Sequence, residues 1–493
     1  MISQNGKNIG FFLNPKSIAI YGVSRRSGFS WGRFIFNQVI KRDFQGKIYP
    51  INTQAKEIEG YKAYPNIAAI PDEVELAVIA LPVQTVLSTV QECIEKGVKG
   101  VVLITAGFSE THEGKDLEDD LRRVAKKSGI RILGPNVSGI FNLSAEFNAS
   151  AAGTCKEDSP VAIICQGGFA IGNLISRGQL KGMGIGKYIH TGNECDLTCT
   201  DFLEYIGDDP STKVILMYME GLKEARRFFQ VAKKVGQKKP IILAKLGITE
   251  AGSRAASSHT GALAGSELIF DAAFRQANII RTPKLEILLE LGYAFLELPP
   301  LWRNRIGILT IGGTWGVSIT DALVMNGLSV PELSSDLQKR LNDLGMPYWA
   351  STKNPVDLGA AGRSLDWEGQ LMVTETLLSS DEVDGVIIHG IGRFGFSQDG
   401  NLNDTLNPIS EEEELLRKIY DLIPKYGKPL LVCNFFSEYE SEPIQNLVKD
   451  RKRVYNDVGD AATILSSLYR YYSHLKKRIP DQSNSEKNAG CHL

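Results

Sequence analysis

Long apolar runs, an excess of charge and a paired cysteine framework are all missing from this 493-residue sequence. No apolar stretch approaches the length that spans a bilayer, and the first ten residues are polar without a signal-peptide core. We therefore expect a cytoplasmic protein with no membrane partner. The 57 acidic residues nearly balance the 55 basic ones, which removes the electrostatic reason to expect nucleic acid. A small-molecule role is favoured.

Cysteine and histidine are also scarce. Cys195 and Cys199 have the spacing of metal ligands, but no second pair or nearby histidine completes a site, so we predict no metal. One of only six histidines, His259, lies among small residues in the stretch 257–265, which leaves room for a bulky group on its ring. A neutral imidazole can accept a phosphoryl group, although a structural, hydrogen-bonding histidine fits the same composition.

The chain does contain a recurring alternation of short β-rich runs with helical stretches, a pattern typical of parallel sheets covered by helices on both faces. Its length exceeds a single hydrophobic core. We predict an α/β protein of three successive doubly wound domains at residues 8–150, 155–298 and 304–475, followed by a disordered polar tail at 476–493. The predicted strands are 17–21, 47–50, 76–80, 101–104, 130–133, 160–164, 214–218, 240–244, 305–309, 385–388 and 430–433.

Each predicted domain opens with a strand that runs into a glycine-bearing turn and then a helix, at residues 22–28, 165–172 and 312–316. Backbone N–H groups at such a turn, together with the helix N-terminus, favour an anion. In the first turn, Ser24, Arg25 and Arg26 add a hydroxyl and two cations, which suits a pyrophosphate. In the third turn, Trp315 would crowd a ligand, so we assign no site there.

A nicotinamide dinucleotide is disfavoured as the ligand of the first turn. The glycine spacing is not GxGxxG, and the second strand ends in Pro50, Ile51 and Asn52 rather than in the acidic residue that binds a ribose diol. A nucleotide whose own phosphates attract Lys and Arg fits better. The sequence also has no GxxxxGKS or GxxxxGKT loop.

Eight motifs follow one another at residues 22–28, 49–52, 105–110, 134–136, 192–196, 218–221, 258–261 and 354–357. In this order they resemble the α subunit of nucleoside-diphosphate-forming acyl-CoA synthetases, the ADP-forming acetyl-CoA synthetase group related to succinyl-CoA synthetase. The resemblance covers residues 8 to 470. It implies a Rossmann-like CoA-binding domain, a flavodoxin-like domain that carries a phosphohistidine, and a third, ligase-associated flavodoxin-like domain.

The resemblance implies an acid–thiol ligase that interconverts acyl-CoA, phosphate and ADP with a small carboxylic acid, CoA and ATP. An acyl phosphate and a phosphohistidine at His259 would be the intermediates, with Glu220 of the Tyr-x-Glu-Gly motif holding the imidazole. The implied phosphate-binding residues are Gln166, Gly167, Gly168 and Asn193. Cys165 and Gly167 replace the two serines of the family's Ser-x-Ser-Gly segment, so two hydroxyls are lost while the backbone donors remain.

The resemblance also assigns a CoA site in the first domain. Its residues are Gly22, Ser24, Arg25 and Arg26 at the phosphates, Pro50, Asn52 and Lys56 around the nucleotide, and Pro82, Thr105, Ala106 and Gly107 along the pantetheine arm. Asp196 ends the family's Gly-Asn-x-x-Asp loop beside the active site, although a helix cap is an equal alternative for it.

The family's ATP-grasp domain, which binds nucleotide and Mg²⁺, has no room in this chain because the three predicted domains use its length. We therefore expect a separate β subunit in an α2β2 heterotetramer, which supplies the ATP/ADP and Mg²⁺ site. Two alternatives remain open. One is a non-catalytic CoA-binding or regulatory protein on the same scaffold, and the other is an acyl- or carbamoyl-transferring relative that does not use the histidine.

Overall fold

The computed structural model describes residues 9–24, 29–152, 157–252, 254, 267–282, 284–361, 365–392 and 408–477. The chain divides into two compact units, Met1–Gly292 and Tyr293–Leu493. The first unit contains two large sheets and the second contains one.

The first sheet consists of five parallel strands with buried side chains on both faces. In chain order they are β1 (Ser17–Tyr21), β2 (Lys47–Ile51), β5 (Leu76–Ile79), β6 (Gly100–Leu103) and β7 (Arg131–Leu133), and their spatial order is β2-β1-β5-β6-β7. Strands β3 (Glu57–Ile58) and β4 (Tyr61–Lys62) form a separate antiparallel pair. The helices are α1 (Trp31–Lys41), α2 (Val83–Lys96) and α3 (Gly114–Ser128). The near-continuous apolar strands reflect burial beneath helices on both faces.

The second sheet has a parallel centre and an antiparallel edge. Its strands are β8 (Gly139–Asn142), β9 (Phe147–Ser150), β10 (Val161–Cys165), β11 (Lys187–His190), β12 (Val214–Met219), β13 (Ile241–Lys245) and β14 (Ile279–Thr282), in the order β14-β13-β12-β10-β11-β8-β9. The helices are α4 (Phe169–Leu180), α5 (Cys199–Asp208), α6 (Ala225–Val235), α7 (Glu267–Gln276) and α8 (Leu288–Glu297).

The hairpin of β8 and β9 belongs to the second sheet, because β8 pairs antiparallel with β11. Its residues lie inside the predicted first domain, 8–150, so the strand pairing crosses the predicted boundary. One hydrophobic core includes Ile18 of the first sheet and Ile164 of the second. The two sheets of this unit are therefore packed together rather than joined by a free linker.

The third sheet is entirely parallel. Its strands are β15 (Ile306–Thr310), β16 (Val356–Asp357), β17 (Gly385–His389), β18 (Leu430–Cys433) and β19 (Val454–Tyr455), in the order β16-β15-β17-β18-β19. The helices are α9 (Gly313–Met325), α10 (Ser335–Asp343), α11 (Leu358–Ala361), α12 (Trp367–Ser379), α13 (Pro408–Tyr426), α14 (Glu442–Lys449) and α15 (Val458–Lys476). This order, 2-1-3-4-5 by position along the chain, is that of flavodoxin-like sheets.

The predicted α/β class is confirmed. Across the described ranges, no helix is long and apolar enough to cross a membrane. In the same ranges, no group of three or more His, Cys, Asp or Glu side chains is arranged to hold a metal. The domain boundaries stay predictions, and the predicted tail lies outside the described residues from position 478 onward.

Candidate active site

A cavity of about 790 Å³ lies within the first unit, at the ends of strands from both of its sheets. Its walls come from the segments after β5, β6, β7, β9, β10 and β11 and from the starts of α1 and α4. Clefts of this size at the carboxyl ends of parallel strands are where open α/β sheets bind ligands. The predicted site residues in its wall are Pro82, Thr105, Ala106, Gln166, Gly167, Gly168 and Asn193.

The other predicted site residues fall into two groups. His259, Arg25 and Arg26 lie outside the described residues. Those that are described but do not form part of the cavity wall are Gly22, Ser24, Pro50, Asn52, Lys56, Gly107 and Glu220.

The first glycine turn is closely packed against the start of α1. Gly22 has φ +80°, and a Cβ on it would lie 2.2 Å from the carbonyl oxygen of Ala80. A Cβ on Gly32 would lie 2.4 Å from the carbonyl oxygen of Tyr21. The Ser30 hydroxyl donates to the Gly22 carbonyl at 2.7 Å and accepts from the Arg33 N–H at 3.4 Å, which caps α1. Glycine is thus required where the turn meets the helix. This close packing of turn and helix is the geometry that brings backbone N–H groups toward an anion.

Asn52 connects the loops that follow β1 and β2. Its amide donates to the Val23 carbonyl at 2.7 Å, and its side-chain oxygen accepts from the N–H groups of Gln54 and Ala55 at 2.9 and 2.8 Å. These three bonds fix the shape of the predicted nucleotide end of the CoA site. Pro50 is buried within β2, whereas Lys56 is exposed.

Thr105 connects the loops that follow β5 and β6. Its hydroxyl donates to the Leu81 carbonyl at 2.7 Å, and its own carbonyl accepts from the Asn136 N–H at 2.9 Å. Pro82, next to Leu81, is the N-cap residue of α2. Gly107 has φ +98°. The two loops that carry the residues predicted for the pantetheine arm are therefore hydrogen-bonded to each other.

Gln166, at the second glycine turn, is buried and committed to protein partners. Its side-chain NH₂ donates to the Gly221 carbonyl at 2.8 Å, and its side-chain oxygen accepts from the N–H groups of Glu220 and Gly221 at 2.7 and 3.1 Å. Its backbone N–H donates to the Tyr218 carbonyl at 3.1 Å. The bond to Gly221 uses one of the two side-chain N–H donors of Gln166, and the bond to Tyr218 uses its backbone N–H. The turn's remaining N–H groups belong to Gly167, Gly168 and the N-terminus of α4.

His190 was missed by sequence reasoning, although it lines the cavity. Its Nε2–H donates to the Gln166 carbonyl at 2.7 Å, and its Nδ1 accepts from the Ser138 N–H at 2.7 Å. Because a carbonyl only accepts and a backbone N–H only donates, this pair of bonds requires the neutral imidazole with its proton on Nε2. A Cβ on Gly168 would lie 2.6 Å from Nδ1, so glycine allows the turn to lie against the ring.

Glu220 lies next to the second glycine turn. The Tyr218 hydroxyl donates to its Oε1 at 2.9 Å, and a Cβ placed on Gly167 would be 3.4 Å from the same oxygen. Burial, followed by the nearby Glu220 charge, raises the pKa of Tyr218 above its ordinary value, so this hydroxyl remains a donor at physiological pH. The structure thus brings the predicted catalytic carboxylate to the predicted phosphate turn.

The loop after β11 contains Asn193 and Asp196, which have different roles. The Asn193 amide is buried in the cavity wall. Asp196 forms an ion pair with Arg131, 2.9 Å from Nε, and accepts from the Ile132 N–H at 2.9 Å, which fastens the loop to β7. The helix-cap alternative for Asp196 is wrong, because Thr198 is the N-terminal cap of α5.

Three aromatic side chains at the cavity also escaped sequence reasoning. Phe29, Trp31 and Phe169 all line it and are 71%, 50% and 86% exposed. Phe29 and Trp31 contact each other edge to face, with centroids 4.6 Å apart, whereas Phe169 begins α4. Covering side chains of this size with a ligand removes apolar surface from water, which favours binding. These three side chains make the cavity wall apolar in the region between the polar glycine turns.

Two family models match the chain in the order of its first two sheets. The CoA binding domain matches residues 16–142, and the succinyl-CoA ligase like flavodoxin domain matches residues 158–295. The matched domains are the two whose loops form the cavity. This pair of domains defines a CoA-dependent ligase.

Similar proteins extend the match beyond these two domains. The alpha subunit of ADP-forming acetate–CoA ligase II from Pyrococcus furiosus is 38% identical over 90% of this chain and 93% of its own length. The ADP-forming acetate–CoA ligase of Methanocaldococcus jannaschii is 41% identical over 70% of this chain but only 48% of its own length. The structure of the Ca. Korarchaeum cryptofilum dinucleotide forming acetyl-coenzyme A synthetase 1, in complex with phosphate and ADP, has a TM-score of 0.83 and 32% identity, and covers 96% of this chain and 99% of the other. The chain belongs to the family of ADP-forming acetate–CoA ligase alpha subunits.

Proposed function

We propose that this chain is the α subunit of an acyl-CoA synthetase that interconverts acyl-CoA, phosphate and ADP with acid, CoA and ATP through His259. One observation carries the proposal. Predicted pantetheine-arm residues, including Thr105, and the predicted phosphate turn at Gly167 and Gly168 line the same cavity. A thioester bound along the first set would have its carbonyl carbon near an anion at the second.

The proposed chemistry has three transfers. Phosphate attacks the acyl carbon, so that a C–O bond forms, the C–S bond breaks and CoA leaves as the thiolate, which takes up a proton. The imidazole of His259 attacks the phosphorus of the acyl phosphate and releases the carboxylate. ADP then takes the phosphoryl group from the imidazole, which breaks the P–N bond and forms ATP. Each donor lies close in free energy to the next, so the sequence is reversible.

The described residues support particular parts of this sequence. The N-terminus of α4, preceded by Gly167 and Gly168, offers backbone N–H groups to phosphate, and no side chain at these positions blocks access. Glu220 would accept the imidazole N–H of His259 and hold one tautomer. CoA would be held by residues 22–26 at its phosphates and by Asn52 and Lys56 near its base.

Nucleotide and Mg²⁺ would bind to a separate ATP-grasp subunit. The two Pyrococcus furiosus relatives support this division, since both are named as alpha subunits of ADP-forming acetate–CoA ligases. We assign the predicted domains 8–150, 155–298 and 304–475 to the α subunit of a cytoplasmic α2β2 complex. The substrate would be a small carboxylic acid.

The test is a label-transfer experiment on the full chain. Acetyl-CoA and ³²P-phosphate should place an acid-labile, base-stable label on the chain, and ADP with an ATP-grasp partner should remove it as ATP. His259→Asn should abolish the label. The matched control, His112→Asn, changes an exposed histidine and should leave labelling intact. Equal labelling of His259→Asn and the unchanged chain would refute the phosphohistidine mechanism.

A CoA-binding protein without catalysis is the second candidate function. The absence of both serine hydroxyls at positions 165 and 167, and the commitment of Gln166 to protein partners, favour it. In that case calorimetry would detect CoA binding. No label would appear on the chain, whether it was offered acetyl-CoA with phosphate or ATP with an ATP-grasp partner. The labelling experiment therefore separates the two functions.

A further inference from the structure

We infer that Tyr218 and Gln166 are positioning residues that hold Glu220 at the phosphate turn, and that Gly167 leaves the space which the Tyr218 ring needs to do so. This inference rests on the proposed function, because it concerns the carboxylate assigned to His259. It adds Tyr218 and Gln166 to the residues that support catalysis. It also gives a role to Gly167, one of the two replacements of family serines.

The backbone of Glu220 is fixed by Gln166. The side-chain oxygen of Gln166 accepts two consecutive N–H groups, those of Glu220 and Gly221, and its NH₂ group donates to the Gly221 carbonyl. Three bonds from one buried side chain define the path of the loop after β12. His190 in turn holds the Gln166 carbonyl at 2.7 Å, so the residue that fixes the loop is itself fixed from the cavity side.

The carboxylate of Glu220 is fixed by Tyr218. A hydrogen bond from a neutral hydroxyl to an ionised oxygen is among the stronger ones in proteins. A glutamate side chain loses considerable rotamer entropy when it is ordered, and this bond orders it before substrate arrives. Tyr218 is only 9% exposed, so packing limits the other positions that its ring can take.

Gly167 makes this arrangement possible. A Cβ on Gly167 would lie 2.7 Å from Cε1 of Tyr218, closer than real Cβ atoms approach other atoms. A serine here, as in the family's Ser-x-Ser-Gly segment, would require the ring to shift. In this chain the tyrosine ring therefore occupies the space beside the turn, and its hydroxyl contacts Glu220.

The experiment measures labelling of the full chain by acetyl-CoA and ³²P-phosphate. Tyr218→Phe keeps the ring and should slow labelling about 10- to 100-fold, with the KM for phosphate unchanged within about twofold. Gly167→Ala should act in the same direction by displacing the ring. In a Glu220→Gln background, Tyr218→Phe should have no further effect. Tyr205→Phe, on α5 and outside the cavity wall, is the matched control.

Three results would overturn the inference: an unchanged rate for Tyr218→Phe, a KM for phosphate that rises as much as the rate falls, or an equal loss in the Glu220→Gln background. If the unchanged chain is never labelled, the proposed function fails instead. The contact is then tested by urea unfolding of the same double-mutant cycle, where non-additivity of about threefold or more in the unfolding equilibrium supports it and additivity refutes it.

Discussion

The side-chain amide of Asn193 donates to the carboxylate of Glu118 at 3.0 Å, across the space between the two sheets of the first unit. Glu118 is 3% exposed and belongs to α3, which covers the first sheet, whereas Asn193 follows β11 of the second. The same carboxylate accepts from the Ser109 N–H at 3.2 Å, and Arg122 lies 3.3 Å from its other oxygen. One buried carboxylate thus connects α3 to the loop after β11, whose Asn193 lies in the cavity wall.

We predict that Glu118→Ala destabilises the chain by about 1–3 kcal/mol, because it removes the acceptor of the Ser109 N–H and one of the two acceptors of the buried Asn193 amide. Equilibrium urea unfolding measures this loss. Glu95→Ala, an exposed position on α2, is the matched control and should change the unfolding free energy by less than about 0.5 kcal/mol. Equal effects of the two substitutions would contradict a structural role for Glu118.

Gly32→Ala tests the close contact between the first glycine turn and α1. The added methyl would lie 2.4 Å from the Tyr21 carbonyl oxygen and 2.5 Å from that of Gly22, so the helix must move away from the turn. We expect a loss of about 2 kcal/mol in stability and at least about tenfold weaker CoA binding, measured by calorimetry. For Gly97→Ala, which has φ +82° but meets no atom within 4 Å, we expect only the backbone cost and unchanged CoA affinity.

The central strands could be predicted from the sequence because each is a run of apolar residues flanked by turn signals. The strands that were missed lack such a run: β11 begins with Lys187 and ends with His190, and β16 and β19 contain two residues each. The hairpin of β8 and β9 was assigned to the first domain because it is close to it in sequence. Its pairing with β11 depends on contacts that no local pattern reveals.

The glycine turns and the order of the motifs made it possible to predict where the site lies. They did not show what each side chain contacts there. Gln166 was predicted as a phosphate ligand from its place in the turn, whereas the structure turns its side chain toward the loop at Glu220. His190 is a single polar residue at the end of a strand, and nothing else in the sequence marks it as part of the site. The direction in which a side chain points, and the partner it meets across the sheet, are set by tertiary packing.

Cys165 provides a prediction about reactivity. It replaces a family serine next to the cavity, yet it is fully buried at the end of β10 and is not part of the cavity wall. Burial raises the pKa of its thiol to about 12, so roughly one thiol in ten thousand is ionised at pH 8. Iodoacetamide at pH 8 should leave Cys165 unmodified in the folded chain and alkylate it in urea, as read by mass spectrometry of its peptide. Rapid alkylation of the folded chain would show that the thiol reaches the cavity.

The last prediction concerns the second unit, where the ring of Trp315 packs on that of His389 with centroids 4.3 Å apart. His389 is 2% exposed, and within the described part of the chain its Nδ1 has no hydrogen-bond partner. Burial lowers the pKa of this imidazole to about 4. The unfolded chain, with a histidine pKa of about 6.5, therefore binds a proton between pH 6.5 and 4 that the folded chain does not bind.

Stability from this group is consequently unaffected above about pH 6.5 and falls by about 3 kcal/mol as the pH is lowered to about 4. His389→Phe keeps an aromatic ring beneath Trp315 but cannot titrate, so its unfolding free energy should fall less steeply over this range than that of the unchanged chain. His112→Asn changes an exposed histidine and should reproduce the original slope. Urea unfolding at half-unit intervals of pH gives the three curves. Parallel curves for His389→Phe and the unchanged chain would mean that the folded protein accepts a proton on His389 without penalty, and that the Trp315 contact does not exclude it from water.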